Sequence, residues 1–147
     1  MLVDQQPDHT NTAMPPIVAN GLVYVVEGTS SLAISAFPTS GDPTGWTYRL
    51  PAGSEFGSIG FFFQVPQIAA ANGRLYVSEW TPSSTDFTPQ YQGAVIALGS
   101  DGRPVPGWPR YFADTTPSEL TILADGGVGV LLGTGATRLA ADGTEAR

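Results

Sequence analysis

Residues 19–25 read ANGLVYV and residues 71–77 read ANGRLYV, identical at five of seven positions. A weaker third copy, ADGGVGV, stands at 124–130. In each copy an Asn-Gly or Asp-Gly pair (Asn20-Gly21, Asn72-Gly73, Asp125-Gly126) leads into an apolar run. Asn, Asp and Gly tolerate the positive φ angles of a type I′ turn, whose twist suits a hairpin, so each copy predicts a tight turn followed by a strand. Val23, Tyr24, Val25 and Val26 are apolar at consecutive positions, as are Leu75, Tyr76 and Val77. Strands without polar alternation are covered on both faces, which sheets stacked face to face provide.

Working outward, each copy follows a proline: PPIVANG at 15–21, VPQIAAANG at 65–73 and TPSELTILADGG at 116–127. Each also precedes a small apolar strand ending in a glycine turn: LAISAFPTSG at 32–41, AVIALGSDG at 94–102 and ATRLAADG at 136–143. In the first two copies that turn runs into Gly-Trp and another apolar stretch, GWTYRL at 45–50 and GWPRYF at 107–112. The unit is therefore strand, tight turn, strand, loop, strand, turn, Trp-led strand: a four-stranded antiparallel meander. The second copy carries an insertion, EWTPSSTDFTPQYQG at 79–93, in an otherwise constant frame. Repeat proteins carry such insertions on one face, often the binding face.

Composition agrees with many short strands. At 147 residues the chain can bury a sizeable core, and its 18 Gly and 13 Pro are spread among apolar runs rather than gathered in a tail. Six Arg and no Lys stand against 13 acidic residues, so nucleic acid and anionic membranes are poor partners. The absence of cysteine removes disulfides, thiolate nucleophiles and thiolate metal sites. The first residues, MLVDQQPDHTNTAM, have neither the basic nor the apolar region of a signal peptide. The apolar stretch IGFFFQVPQIAAA contains proline and is too short to cross a bilayer as a helix, so a soluble chain is expected.

The pattern resembles the PQQ-like β-propeller repeat, also called the quinoprotein-alcohol-dehydrogenase-like blade, over residues 15–147. A blade of that family reads Pro, apolar strand, Asn- or Asp-Gly, strand ending in Tyr-Val, then Ala-Leu, Asp, Gly and a final Trp. Ala36-Phe37, Gly41 and Trp46 match in the first copy; Ala97-Leu98, Asp101-Gly102 and Trp108 in the second; Leu139, Asp142 and Gly143 in the third. The resemblance implies an all-β fold of antiparallel four-stranded propeller blades: an arm at 1–14, a first blade at 15–64, a second at 65–115 and an incomplete third at 116–147. It implies that Trp46 and Trp108 dock adjacent blades, and it makes a bacterial extracytoplasmic setting the expected one. The family's calcium and quinone site includes a vicinal cysteine pair that this chain lacks, so no cofactor is expected. Propellers close with four to eight blades. Three blades imply a piece of a longer protein or copies that associate to complete a ring.

The chemistry-bearing residues are few. His9 is the only histidine, in a polar stretch that signals no triad and no metal site. Glu27 and Glu79 share a repeat position and would hold a cation only as a set; strand-end carboxylates facing water is the simpler reading. Asp101 and Asp142 precede Gly as turn formers, not as calcium-loop ligands. Phe61, Phe62 and Phe63 read as core. Trp80, Phe87 and Tyr91 fall in the insertion among Pro, Ser, Thr and Gln, beside Glu79. Flat rings with nearby amides and hydroxyls anchor protein partners, although the same rings could instead fold back over the blade edge. The expected function is a non-catalytic scaffold that binds a protein partner, or its own copies, through Trp80, Phe87, Tyr91 and Glu79. Two alternatives stand beside it: a carbohydrate-binding module using Trp80 and Tyr91, and a fragment of a larger propeller enzyme.

Overall fold

A computed structural model describes residues 16–27, 33–42, 44–50, 55–56, 68–82, 91–112, 117, 119–133 and 135–145. The arm at 1–14, His9, Phe61 to Phe63 and Phe87 lie outside them. Every regular element among the described residues is a β-strand.

The turns set the frame. Asn20 and Gly21 have φ of 56° and 72°, and Asn72 and Gly73 have 55° and 74°, the paired positive angles of a type I′ turn. The first turn joins β1 (Ile17–Ala19) to β2 (Leu22–Glu27), with Ala19 opposite Leu22; the second joins β6 (Ile68–Ala71) to β7 (Arg74–Pro82), with Ala71 opposite Arg74. The third copy departs from expectation. There only Gly126 has positive φ, and the Leu123 N–H bonds Gly127 O while the Gly126 N–H bonds Leu123 O, each at 2.9 Å. This is a type I turn closed by a glycine bulge. The longer ADGG sequence supplies the extra residue a type I′ turn has no room for.

Three antiparallel sheets result. Sheet 1 has the order β1-β2-β3-β4, with β3 at Ala33–Pro38 and β4 at Trp46–Arg49. This is the meander expected for the first unit. Sheet 2 runs β5-β7-β8-β9, with β5 at Glu55–Phe56, β8 at Tyr91–Leu98 and β9 at Arg110–Phe112; β6 also pairs with β7. The short β5, within 15–64, pairs with Glu79 and Trp80 of β7, so it extends the second sheet rather than the first. Sheet 3 is three-stranded, β10 (Glu119–Ile122), β11 (Val128–Leu132) and β12 (Gly135–Leu139) in that order.

The sheets stack through two apolar layers. Between sheets 1 and 2, Tyr24, Ile34, Ala36 and Leu50 meet Leu75, Val77, Ile96 and Leu98. Between sheets 2 and 3, Tyr76, Val95, Ala97 and Trp108 meet Leu120, Val128, Val130 and Leu139. Successive residues of β7 and β8 thus serve opposite layers, which is why those strands read as unbroken apolar runs. Each fully buried Leu, Ile or Val contributes about 1.5–3 kcal/mol. β2 carries an equally continuous run but has a described sheet on one side only. Tyr24 is buried there, while Val23 and Val25 are half-buried.

Candidate functional site

The repeat places its aromatic residues at the seams. In sheet 1, Tyr24 and Trp46 lie with ring centroids 6.1 Å apart; in sheet 2, Tyr76 and Trp108 are an edge-on pair at 5.3 Å. Each Trp reaches the next sheet. The Trp46 indole N–H donates to Ser100 O at 2.9 Å, and that of Trp108 to Ala141 O at 3.2 Å. Both acceptors are the second residue of a glycine-bulge turn, Gly99–Arg103 or Ala140–Thr144. The Gly102 N–H bonds Gly99 O, and the Gly143 N–H bonds Ala140 O.

Glycine is required at both turns, and at Gly102 for two reasons. Its φ is +78°, and a Cβ there would collide with the Trp46 ring. Gly143, at +83°, would bring a Cβ to 2.6 Å from Gly107 O and 3.4 Å from Trp108 Cε2. Trp108 is 7% exposed and Trp46 half-buried, so the second seam is the more closed. Asp101 and Asp142 hold these turns as turn formers. Asp101 accepts the Arg103 N–H at 3.1 Å, and Asp142 accepts the Thr144 N–H at 2.9 Å and its hydroxyl at 2.6 Å.

A residue singled out only as a turn former clamps the first seam. Asn20 Oδ1 accepts the Gly73 N–H at 3.0 Å, and its Nδ2 lies within hydrogen-bonding reach of Arg74 O at 3.1 Å and the Tyr24 hydroxyl at 3.0 Å. At the second seam the Tyr76 hydroxyl donates to Gly126 O at 3.4 Å, and Arg74 Nη1 donates to Ala141 O. The signal for these roles was the recurrence of Asn and Tyr within the heptamer. Its cause, one turn seated on the next, is visible only across sheets.

Glu79 is corrected most sharply. Expected as a strand-end carboxylate facing water, it is 2% exposed, and its Oε2 has no hydrogen-bond partner. Its register explains this: Glu79 follows Leu75 and Val77 on the face of β7 that packs on sheet 1, in a row with Ala94 and Tyr111. Burial of the charged form raises its pKa to about 7. Tyr48 of β4 packs against the same layer. Its phenol is shifted upward by burial first, then by the charges of Glu79 and Tyr111. Burial takes Glu79 out of the water-facing cation site considered for it and Glu27, whose side chain lies outside the described ones; among the described residues no three His, Asp or Glu side chains cluster as metal ligands.

The insertion is also redrawn. Trp80 pairs with Gly93, Thr81 with Gln92 and Pro82 with Tyr91, so β7 and β8 continue as a hairpin ladder into both ends of what was expected to be loop. Trp, Thr and Tyr favour extended pairing, which extends the ladder. Only residues 83–90, with Phe87, lie between the strands. The backbone brings Trp80 and Tyr91 to the far end of this hairpin, while Glu79 belongs to the interior.

No protein-family model, curated protein or solved structure matches the chain. Among the described residues, fold and seams define the class: all-β, with three antiparallel sheets stacked face to face through a repeated Tyr–Trp seam.

Proposed function

We propose that the chain is a β-propeller segment acting as a non-catalytic scaffold, and that it binds a protein partner at the β7–β8 hairpin. The observation that carries this reading is the continuation of β7 and β8 as a paired hairpin to Pro82 and Tyr91, beyond the Leu75–Leu98 part of the ladder that forms the core. Sequence-consecutive sheets, each seating its Trp on the next sheet's turn, support the propeller architecture. Paired strands hold Trp80 and Tyr91 in a preorganised frame, which lowers the ordering cost of binding.

A Trp80→Ser/Tyr91→Ser double variant tests the reading in two assays run side by side. Affinity capture from lysate should recover a protein on the parent chain and lose it on the variant, with the fold intact by circular dichroism. Glycan-array binding that requires Trp80 and Tyr91, without such a protein, would replace the scaffold reading with the carbohydrate-binding one. Capture unchanged by the substitutions would overturn the hairpin site.

A further inference from the structure

The two internal seams share one receiving surface. Sheet 2 offers sheet 1 the Asn72-Gly73 turn, Leu75, Val77 and Leu98, and the Gly102 turn on which Trp46 sits. Sheet 3 offers sheet 2 the Gly126 turn, Val128, Val130 and Leu139, and the Gly143 turn that seats Trp108. Strand register carries the same set onto the outer face of sheet 1. Val18 pairs with Val23, and Val23 with Phe37, the counterparts of Leu75 and Leu98. Gly41 has φ +84°, and its N–H bonds Pro38 O at 3.2 Å, repeating the geometry of Gly102 and Gly143. Thr39 O is the counterpart of the Ser100 and Ala141 carbonyls that accept the indoles.

In sheet 1 this surface is open at its turn end. Val18 is 68% exposed and Phe37 43%. A Cβ on Gly41 would meet nothing within 4 Å, whereas its counterparts Gly102 and Gly143 each have an indole against them. Toward the other end of the same face Ala33 and Ser35 are already buried, so the open patch is confined to where Asn20 and the indoles act in the internal seams.

We propose that this patch is the seat for a partner sheet of the same repeat, one that brings a Tyr–Trp pair like Tyr24 and Trp46 and donates its indole N–H to Thr39 O. Seam geometry, not exposure alone, selects this occupant: two apolar strands and a vacant glycine turn lie in the register that elsewhere receives that pair. A second copy of this chain fits less well. The face its sheet 3 would present has Gly129 at the Tyr76 position, with exposed Glu119, Thr121 and Arg138 beside it and Arg138 paired to Asp125. The inference rests on the stacked-repeat part of the function proposed above and not on the β7–β8 hairpin.

The test is a chain in which residues 15–66 are duplicated ahead of residue 15, so that the added unit carries its own Tyr24 and Trp46 in native spacing. The added indole N–H should be as protected from hydrogen exchange as that of Trp46, and the melting temperature should rise. Phe37→Ser in the original first unit should cancel the rise while changing the parent chain little. An added indole that exchanges freely, with an unchanged melt, overturns the proposal. So does a parent chain that dimerises with concentration and loses dimerisation with Phe37→Ser, since the occupant is then a second copy. If the extended chain does not fold, N-acetyltryptophanamide titrated into the labelled parent chain decides. Amide shifts confined to Gly21, Ser40 and Gly41 sustain the site, and their absence overturns it. The Trp80/Tyr91 variant does not enter this test, so failure of the hairpin reading leaves its outcome unaffected.

Discussion

Replacing Glu79 with Gln should flatten the pH dependence of stability between about pH 4.5 and 7. The carboxyl is buried between sheets 1 and 2 with Oε2 unpartnered, and burial moves its pKa from 4.5 to about 7. A raised acid favours its protonated form in the folded state. Below about pH 4.5 both folded and unfolded chains hold the proton, and the group costs nothing. Between there and about 7 the unfolded chain ionises first, so stability falls as pH rises; above about 7 the loss is complete. At about 1.36 kcal/mol per pKa unit the full loss is about 3 kcal/mol, or roughly 10 °C in melting temperature for a domain of this size.

Melts of the parent and Glu79→Gln chains from pH 4.5 to 8.5 measure it. The two curves should diverge as pH rises, with the variant the more stable at pH 8. Asp42, Asp125 and Asp142 do not confuse the window. Their carboxyls are held low by bonds, first from the Thr44 N–H, the Gly127 N–H and the Thr144 hydroxyl respectively, and they are exposed. Their contributions are present above their unfolded pKa and fade only as pH falls below it. Parallel curves for parent and variant across pH 4.5–8.5 would show that water or a rearranged side chain solvates Glu79 and that the buried placement is wrong.

Gly41→Ala and Gly102→Ala place the same residue at nearly the same positive φ, so both should lose about 1 kcal/mol from backbone strain. Only Gly102→Ala should lose a further 1–3 kcal/mol or so from collision with the Trp46 ring, and equal denaturation midpoints would remove the indole from that turn. Trp108→Ala should cost about 3–5 kcal/mol, and Trp46→Ala less because that ring is half-buried; urea melts give the order. Asn20→Gly keeps the turn's backbone freedom but removes the side-chain bonds to Gly73, Arg74 and Tyr24, at a cost of about 1–3 kcal/mol. Exchanging residues 83–90 for a two-residue Asn-Gly turn should leave the circular dichroism spectrum and melt intact, since the ladder already closes at Pro82 and Tyr91.

Much of the fold was legible because strand pairing leaves local marks. Asn-Gly fixed both type I′ turns, and the unbroken apolar runs of β7 and β8 announced a sheet covered on both faces. The errors arose where one residue more or less changes geometry. The Asp125-Gly126 pair looked like its Asn-Gly counterparts until Gly127 made room for a bulge, and Thr81 and Tyr91 looked like loop because Pro, Ser and Thr surround them. Glu79 could not be placed by type. An acid at a strand end suggests water, and only its phase with Leu75 and Val77 puts it in the layer between sheets. The seams were legible as recurrence but not as contact. Asn20 meets Gly73, and Trp46 meets Ser100, across more than fifty residues of chain, a separation that no local pattern encodes.

The repeat therefore recurs for a reason beyond making four strands. A sheet that stacks on another meets not only side chains but also turn carbonyls and N–H groups, partly buried at the second seam, and polar groups withdrawn from water must find partners. In this chain one sheet's Asn, Tyr and Trp reach polar backbone groups of the next sheet's turns, while Val, Leu and Ile supply the apolar layer beneath. The polar handles fix register along the stack, because a slip of one residue would turn Tyr24 or Tyr76 to the wrong face. Where a handle changes, the partner position changes with it: the turn at Gly126 has no Asn20-type clamp but takes the Tyr76 hydroxyl instead. Sheet 1 keeps the glycine of the receiving turn: Gly41 has the positive φ of Gly102 and Gly143 without the indole that stands against each of them.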